Sequence, residues 1–522
     1  MFKKKPETDN NVFVLTLPLL YTSWQRDKLD RLFQCYNNVK NALINQKKKA
    51  LKQLERDKRY RQNQRSLSEI LEELKEAKGK DRIMELNAKK KELCSIRNEL
   101  ILSYGLDDRS FEKDIHRLQH HYSIVMSNEA AKMSYNVRDM FKDYLYGKGK
   151  SVRFSPINKL YSISGKTNTG LVCYRDNEVL IGRKKNPMRL RVKLSRNDAY
   201  ELECLQHPIH YTSLIRRPVN DGWRYFIQLT LGGKPPNKYK TGTGRVGIDI
   251  GTQTIAVSSG TKTLLTVLAE KVQDIHRVRR KIERAMDRSR RNTNPLFFDE
   301  KGRIVPINQL PPELVRNGKR KWYESKRYSR LKKKRRALFF KEKLLRILSH
   351  NTLANQILQL GDVFYIETMN FRALAKRTKE DKLSKKGKHL SKKRFGKSIA
   401  NKAPATFVAI LKQKAESRGG QFYEIATWKA KASQFDHTSQ AYKKKSLGTR
   451  WTILKNGDKV QRDLYSSFLI QCTNDTLDGF NQELLNSTYN LFKQHHDKTI
   501  SELLNSDIVY PSSMGLNKKK PA

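Results

Sequence analysis

The chain has 522 residues, enough for two to four domains with a substantial core, and its 37% hydrophobic content, with 20 Phe and 22 Tyr, excludes a disordered tail protein. Lys and Arg number 107 against 52 Asp and Glu, a formal net charge of +55. A compact chain this basic repels itself unless a polyanion neutralises it, so nucleic acid is the expected partner. No stretch offers the ~20 apolar residues that span a bilayer, which sets membrane binding aside.

The N-terminal "MFKKKPETDNNVFVLTLPLLYTSW" starts basic and turns apolar without a small-residue cleavage site. "VFVLTLPLL" is short enough for a strand, so residues 1–23 are read as the first strand of a barrel and not as a signal peptide. The five cysteines, Cys35, Cys94, Cys173, Cys204 and Cys472, form no CxxC pair, which points to a reducing, cytoplasmic compartment (nucleoid-associated in a prokaryote) and against zinc held by cysteine.

From Ser23 to Gly147 there is no proline, and "LDRLFQCYNNVKNALI" repeats at helical spacing, predicting a basic helical lobe over 24–147. In "SLSEILEELKEAK", Ser66 stands three residues before Glu69, the pattern of a capping box opening a helix. Short alternating runs follow over 148–242: "SVRFSPI", "LYSISG", "GLVCYRDNEVLIG", "MRLRVKLS" and "WRYFIQLTL", divided by turn signals "DN" at 176–177 and "NDG" at 220–222. They predict a small barrel that the first strand joins, so that the helical lobe is an insertion.

An α/β domain is expected over 243–427, with strands "RVGIDI", "TIAVSSG" and "KTLLTVLA" in a meander, a basic helical insertion at about 270–350 and a basic loop at 376–398. Within the insertion, "GKRKWYESKRYSRLKKKRRALFFKEK" mixes cations with aromatic rings, a composition suited to a phosphate backbone with stacked bases. Lys319, Arg320, Lys321, Trp322, Tyr323, Lys332, Lys333, Lys334, Arg335 and Arg336 are the candidate nucleic-acid contacts.

"GRVGIDIGTQTIAVSSG" has two chemical meanings. "DIGTQT" could cradle the phosphates of a sugar-kinase or chaperone-type ATPase, or Asp249 could be the first metal-binding carboxylate of a nuclease. The ATPase needs a second acidic, glycine-rich phosphate loop, and the later glycine pair in "SRGGQFYE" has no Asp before it. The nuclease needs more carboxylates at element ends. Glu367 closes the apolar strand "VFYIE", where burial is costly unless the acid is paired or metal-bound. Asp463 opens a helix whose Leu464, Phe468 and Cys472 fall at core spacing, and a helix N-terminus favours the ionised carboxylate that a hard cation requires. Asp249, Glu367 and Asp463 together suit two magnesium ions about 4 Å apart, activating water and stabilising the leaving oxygen of a phosphodiester.

The motifs "VGIDIGTQTIAV", "FYIETMNFRALAK", "SIANKAPATFVAILKQKAESRGGQFYEIATWKAKASQ" and "VQRDLYSSFLI", with the early "YNNVKNALINQ", resemble in order and spacing the transposon-encoded TnpB nucleases and the related compact type V CRISPR effectors. The resemblance covers about 12–50 and 243–472. It implies a multidomain α+β fold: a wedge-like β-barrel with an inserted helical recognition lobe, then an RNase H-like RuvC nuclease domain. It implies that Asp249, Glu367 and Asp463 are the RuvC-type catalytic carboxylates, and that a guide RNA directs magnesium-dependent cleavage of double-stranded DNA beside a short motif the protein reads. Such proteins usually carry a zinc ribbon of two CxxC pairs before the third acid. Here 428–460 has no cysteine, so a metal-free remnant is expected, with "FDHTS" and "ILKNGD" where the knuckles would stand. Residues 461–473 form the last RuvC motif, and 474–522 extend beyond the matched part. An RNA-guided repressor that binds without cutting, and a DNA strand transferase, are the alternative functions.

Overall fold

The computed structural model describes residues 11–516 except 123–124, 183–185, 196–198, 221, 238, 377–394 and 447. The chain divides into two compact units, one of residues 1–218 with 223–236, the other of 237–522 with the turn 219–222.

In the first unit, β1 (Val12–Leu20) leads into five helices: α1 (Ser23–Arg56), α2 (Lys58–Glu76), α3 (Lys80–Ser103), α4 (Asp108–Gln119) and α5 (Ser127–Leu145). There follow β2 (Ser162–Ser164), β3 (Val172–Arg175), β4 (Glu178–Ile181), β5 (Met188–Val192), α6 (Ala199–Leu205), β6 (Ile209–Val219) and β7 (Gly222–Gly232). The seven strands form one barrel-like sheet in the order β2-β6-β7-β1-β5-β4-β3. Its two ends approach each other where the Thr212 hydroxyl on β6 donates to the Val172 carbonyl on β3 at 2.5 Å. β1 pairs with β7 from Val12↔Gly232 to Pro18↔Phe226 and then with β5 at Leu19↔Val192, so the helices leave and re-enter the sheet between its first two strands in sequence. Leu15, Leu17 and Leu19 alternate inward from β1 onto Phe33, Tyr36, Leu43 and Ile44 of α1. A buried Arg216 joins barrel to lobe: its guanidinium donates to the Leu160 carbonyl and lies 4.3 Å from the Phe33 ring and 4.1 Å from that of Trp223.

Three local expectations change here. Ser66 lies inside α2, whose N-cap is Asp57, accepting from the Arg59 N–H at 2.8 Å. Asp57 breaks the long helix nine residues earlier, and Tyr60, Asn63 and Leu67 continue the buried face from that point; the capping box belongs to Thr22 and Gln25 at the head of α1. Among the described residues, "SVRFSPI" pairs with no strand and runs into a turn of 3₁₀ helix at Ile157–Lys159. Strand β6 is not apparent in the sequence because Arg216, Arg217 and Pro218 mask its apolar alternation. At the β3–β4 turn Asp176 and Asn177 both adopt positive φ, 47° and 59°, as a two-residue hairpin requires.

The second unit begins with the antiparallel meander β8 (Arg245–Ile250), β9 (Thr254–Ser259) and β10 (Thr263–Val267). Helix α7 (Val272–Thr293) follows, then irregular chain with the two-residue strands β11 (Val315–Arg316) and β12 (Lys319–Arg320), then α8 (Lys326–Leu358). The expected helical insertion is thus two helices: Pro295, Pro306, Pro311 and Pro312 exclude a continuous one. β13 (Val363–Glu367), α9 (Phe371–Ala375), α10 (Gly396–Lys402), α11 (Pro404–Ser417) and β14 (Gln421–Ile425) come next. Most of the basic 376–398 loop lies outside the described residues. The sheet order is β10-β9-β8-β13-β14, with β13 parallel to β8 and β14 parallel to β13.

After α12 (Thr427–Ala430), two hairpins form, β15 (Phe435–Asp436) with β16 (Ala441–Tyr442) and β17 (Trp451–Ile453) with β18 (Lys459–Gln461). "FDHTS" and "ILKNGD" fall at their turns. The Asp436 carboxylate ties the hairpins together, accepting from the Thr438 N–H and hydroxyl and from the Lys455 N–H. His437 is buried against Tyr489, ring centroids 4.5 Å apart, and bonds the Tyr465 hydroxyl at 2.7 Å. The chain closes with α13 (Arg462–Gln471) and α14 (Gln482–Asn505).

Candidate active site

The odd-numbered face of β8 meets α13 along its length. Arg245 donates from Nε to the Gln471 carbonyl at 3.0 Å and from its terminal nitrogen to the Thr473 carbonyl, closing the C-terminal end of the helix. Two residues on, Gly247 faces the helix backbone so closely that a Cβ there would stand 2.0 Å from the Ser467 carbonyl oxygen and 2.2 Å from the Gln471 nitrogen. Two more residues of strand advance about 6 Å, and so do four residues of helix. That step carries the strand from Gly247 to Asp249 and the helix from Ser467 back to Asp463. The two carboxylates therefore meet where α13 begins.

Glu367 arrives from the neighbouring strand. β13 runs parallel to β8 in the register Val363↔Arg245 to Ile366↔Ile248, and one further step sets Glu367 beside Asp249, with strands roughly 4.8 Å apart. The Ala432 N–H lies near enough to the Glu367 carboxylate to favour its ionised form.

The electrostatics record this convergence. Burial, then the charge of Asp463, then that of Glu367 push the Asp249 carboxyl well above the usual carboxylate range, with Arg462 opposing. Burial pushes Glu367 up to about 7. Asp463 accepts both Nε and a terminal nitrogen of Arg462, at 3.2 and 3.1 Å. Oxygen-only donors fit a hard divalent cation, and gathered carboxylates whose charges penalise one another are the donor set such a cation stabilises. As the side chains lie, no three His, Cys, Asp or Glu groups among the described residues stand at chelating spacing, and Asp463 is paired with Arg462.

The candidate nucleic-acid residues are scattered in role. Lys332, Lys333 and Lys334 are exposed near the start of α8, with Lys332 paired to Glu324 at 2.7 Å. Lys319, Lys321 and Tyr323 are exposed. Trp322 is half-buried, edge-on to Phe297 at 4.7 Å with the Arg290 guanidinium 3.8 Å over its ring, so it closes the irregular segment between α7 and α8. Arg320 bonds the Val305 carbonyl, and Arg335 and Arg336 are half-buried. Sequence reasoning missed a cavity of about 480 Å³ lined by Gln253 of the turn after Asp249 and by His276, Arg277, Arg280, Lys397 and Lys402. Burial and then the charges of Arg279, Arg280 and Lys397 lower the His276 pKa, which marks the cavity as strongly positive.

Three carboxylates thus lie at the C-terminal ends of the inner strands β8 and β13 and at the start of α13, on the same unit as a basic cavity. No family model matches the chain, and no curated protein matches it. Among solved structures it is similar to the Cas12f1–sgRNA–target DNA complex (11% identity, 90% of this chain and 99% of that chain, TM-score 0.43) and to a CRISPR-Cas12f ternary complex (13%, 89% and 99%, TM-score 0.24). Both are type V CRISPR effector structures, the kind of protein the sequence motifs resemble. No described helix is long and apolar enough to cross a membrane.

Proposed function

We propose that the chain is an RNA-guided DNA endonuclease that hydrolyses phosphodiester bonds at Asp249, Glu367 and Asp463. The observation that carries this reading is the meeting of the three acids from two adjacent strand ends and a helix start. An antiparallel meander followed by two parallel strands, in the order seen here, is the arrangement of an RNase H-like, RuvC-type sheet. The three carboxylates would hold two magnesium ions, which when bound supply an activated water and stabilise the leaving oxygen.

The chain's own residues do the positioning. Gly247 lets α13 lie on β8, Arg245 fixes the far end of the helix, and Arg462 holds Asp463 at its head. Glu367, pushed up to about 7, is partly protonated near neutrality, so metal loading would release a proton there and strengthen as pH rises. The basic cavity and the exposed lysines of α8 offer phosphate contacts on the same unit. The guide is the part of the reading that rests on the sequence resemblance.

The test has two arms. RNA co-purifying from expression with the native flanking DNA is sequenced, and the loaded protein is assayed on a matching duplex with and without magnesium. A discrete RNA with a fixed scaffold and a variable end is expected, with metal-dependent cleavage that Asp249→Ala abolishes while target binding persists. Equal behaviour of wild type and variant removes catalysis from this site. Heterogeneous RNA removes the guide.

A further inference from the structure

We propose that the C-terminal segment 482–516 is a positioning element for Asp463: His496 holds the backbone of Gln461, and Gln461 caps the helix that carries the carboxylate. The inference rests on the reading of Asp463 as a catalytic residue.

Helix α13 starts at an unusual cap. Asn, Asp, Ser, Thr and Gly are the favoured N-cap residues, and Gln is not among them. Here Gln461 folds its longer side chain back so that Oε1 accepts from the Leu464 N–H at 2.8 Å. Such a side chain needs outside help to hold that pose. It comes from the C-terminal segment, where the Met514 carbonyl accepts from Gln461 Nε2 at 3.3 Å, fixing which way the amide faces.

The backbone of the same residue is held by α14. The Gln461 N–H donates to His496 Nε2 at 2.9 Å, with both residues buried. Nε2 must then be the unprotonated nitrogen, which puts the ring proton on Nδ1, and Nδ1 faces Asp497 Oδ1 at 2.8 Å. Asp497 is itself paired with Lys493. Asp497 therefore sets the tautomer, the tautomer sets the acceptor, and the acceptor holds the residue two places before Asp463. Burial lowers the His496 pKa, which favours the neutral ring this arrangement needs.

Apolar contacts act in the same place. Leu464, next to Asp463, is buried in a cluster with Ile500, Met514 and Leu516, all from the C-terminal segment. Trp451 Nε1 donates to the Gly515 carbonyl at 3.0 Å, tying the β17–β18 hairpin to the same stretch. Of the three Gln461 groups N–H, Nε2 and Oε1, the segment supplies the partners of two.

The discriminating pair is His496→Gln and His496→Asn in the guide-loaded protein. The glutamine amide oxygen reaches the place of Nε2; the asparagine amide is one methylene shorter and does not. Three readouts are taken: amide exchange of the peptide covering 461–467, single-turnover cleavage and target binding. With His496→Asn, protection at 461–465 is lost and cleavage falls about 10- to 100-fold, the scale of a slightly misplaced catalytic group, with binding unchanged. His496→Gln restores protection and rate to near wild type. Gln461→Met, which keeps the bulk and loses the cap, reproduces the asparagine phenotype if His496→Asn fails to fold. Wild-type protection in His496→Asn, or equal impairment of both substitutions, overturns the proposal. A wild type that never cleaves sinks the nuclease reading alone, because the exchange data still decide whether His496 orders the head of α13.

Discussion

Glu367→Gln tests the carboxylate site without relying on cleavage. Glu367 titrates at about 7 against an ordinary 4.5, so its proton binds more tightly in the folded state. That stabilisation is fully present below pH 4.5 and is lost as pH rises through 7. At 1.36 kcal/mol per unit the loss is at most about 3 kcal/mol, and nearer 1–2 once the partly solvated side chain is discounted. Glutamine keeps an acceptor for the Ala432 N–H and carries no charge at any pH. In urea unfolding with EDTA, the variant should match wild type near pH 4.5 and exceed it by about 1–2 kcal/mol at pH 8. Magnesium should then stabilise wild type, by about 2.7 kcal/mol at a hundred times its Kd, and the variant much less. A variant less stable than wild type at pH 8 without metal, or a difference independent of pH, would refute the burial of a titrating carboxyl at Glu367.

Gly247→Ala places a methyl carbon 2.0 Å from the Ser467 carbonyl oxygen, a backbone atom that yields only if α13 moves. The cost is about 3 kcal/mol or more, read as a lower urea midpoint, with cleavage reduced more than about 100-fold and target binding retained; wild-type cleavage would detach the strand–helix contact from the chemistry. Replacing Lys332, Lys333 and Lys334 with Ala should lower the slope of log Kd against log salt by about 2, because Lys332 is already paired with Glu324 while the other two are free to meet phosphates at ~0.9 each. An unchanged slope would remove this stretch of α8 from the interface.

What could be read in the sequence was what alternates or repeats. β1, β8 and β13 announce themselves by apolar periodicity, and the acids at 249, 367 and 463 stand out because each interrupts or opens an apolar run. The Asp176–Asn177 turn was legible because few residue pairs tolerate two positive φ angles. The capping box misled because a local pattern competes with a cap farther upstream: Asp57 had already started the helix that contains Ser66. β6 was hidden by Arg216, whose charge marks a surface residue in sequence but which is buried between Phe33 and Trp223. The sequence does not show that Trp322, a candidate nucleic-acid contact, packs edge-on to Phe297 with the Arg290 guanidinium over its ring, because those partners lie 25 and 32 positions away. The hold of His496 on Gln461 spans 35 positions and involves a residue outside any motif, so no local signal could have shown it.

Arg245, Gly247 and Asp249 show why packing and chemistry cannot be separated in β8. Side chains alternate with a period of two, so the three share one face, and α13 lies along it with its end, middle and start in contact with each in turn. Arginine satisfies carbonyls the helix end leaves open, glycine removes the side chain that would lift the helix, and aspartate meets the carboxylate at its head. A slip of one residue in β8 would turn all three to the opposite face and bring Val246, Ile248 and Ile250 under the helix. Those three residues are fully buried in the cluster formed with Ala354, Ile357, Phe364 and Phe407, so the apolar face fixes the register of the polar one. Asp249 is therefore placed as much by the isoleucines on either side of it as by the acids it meets.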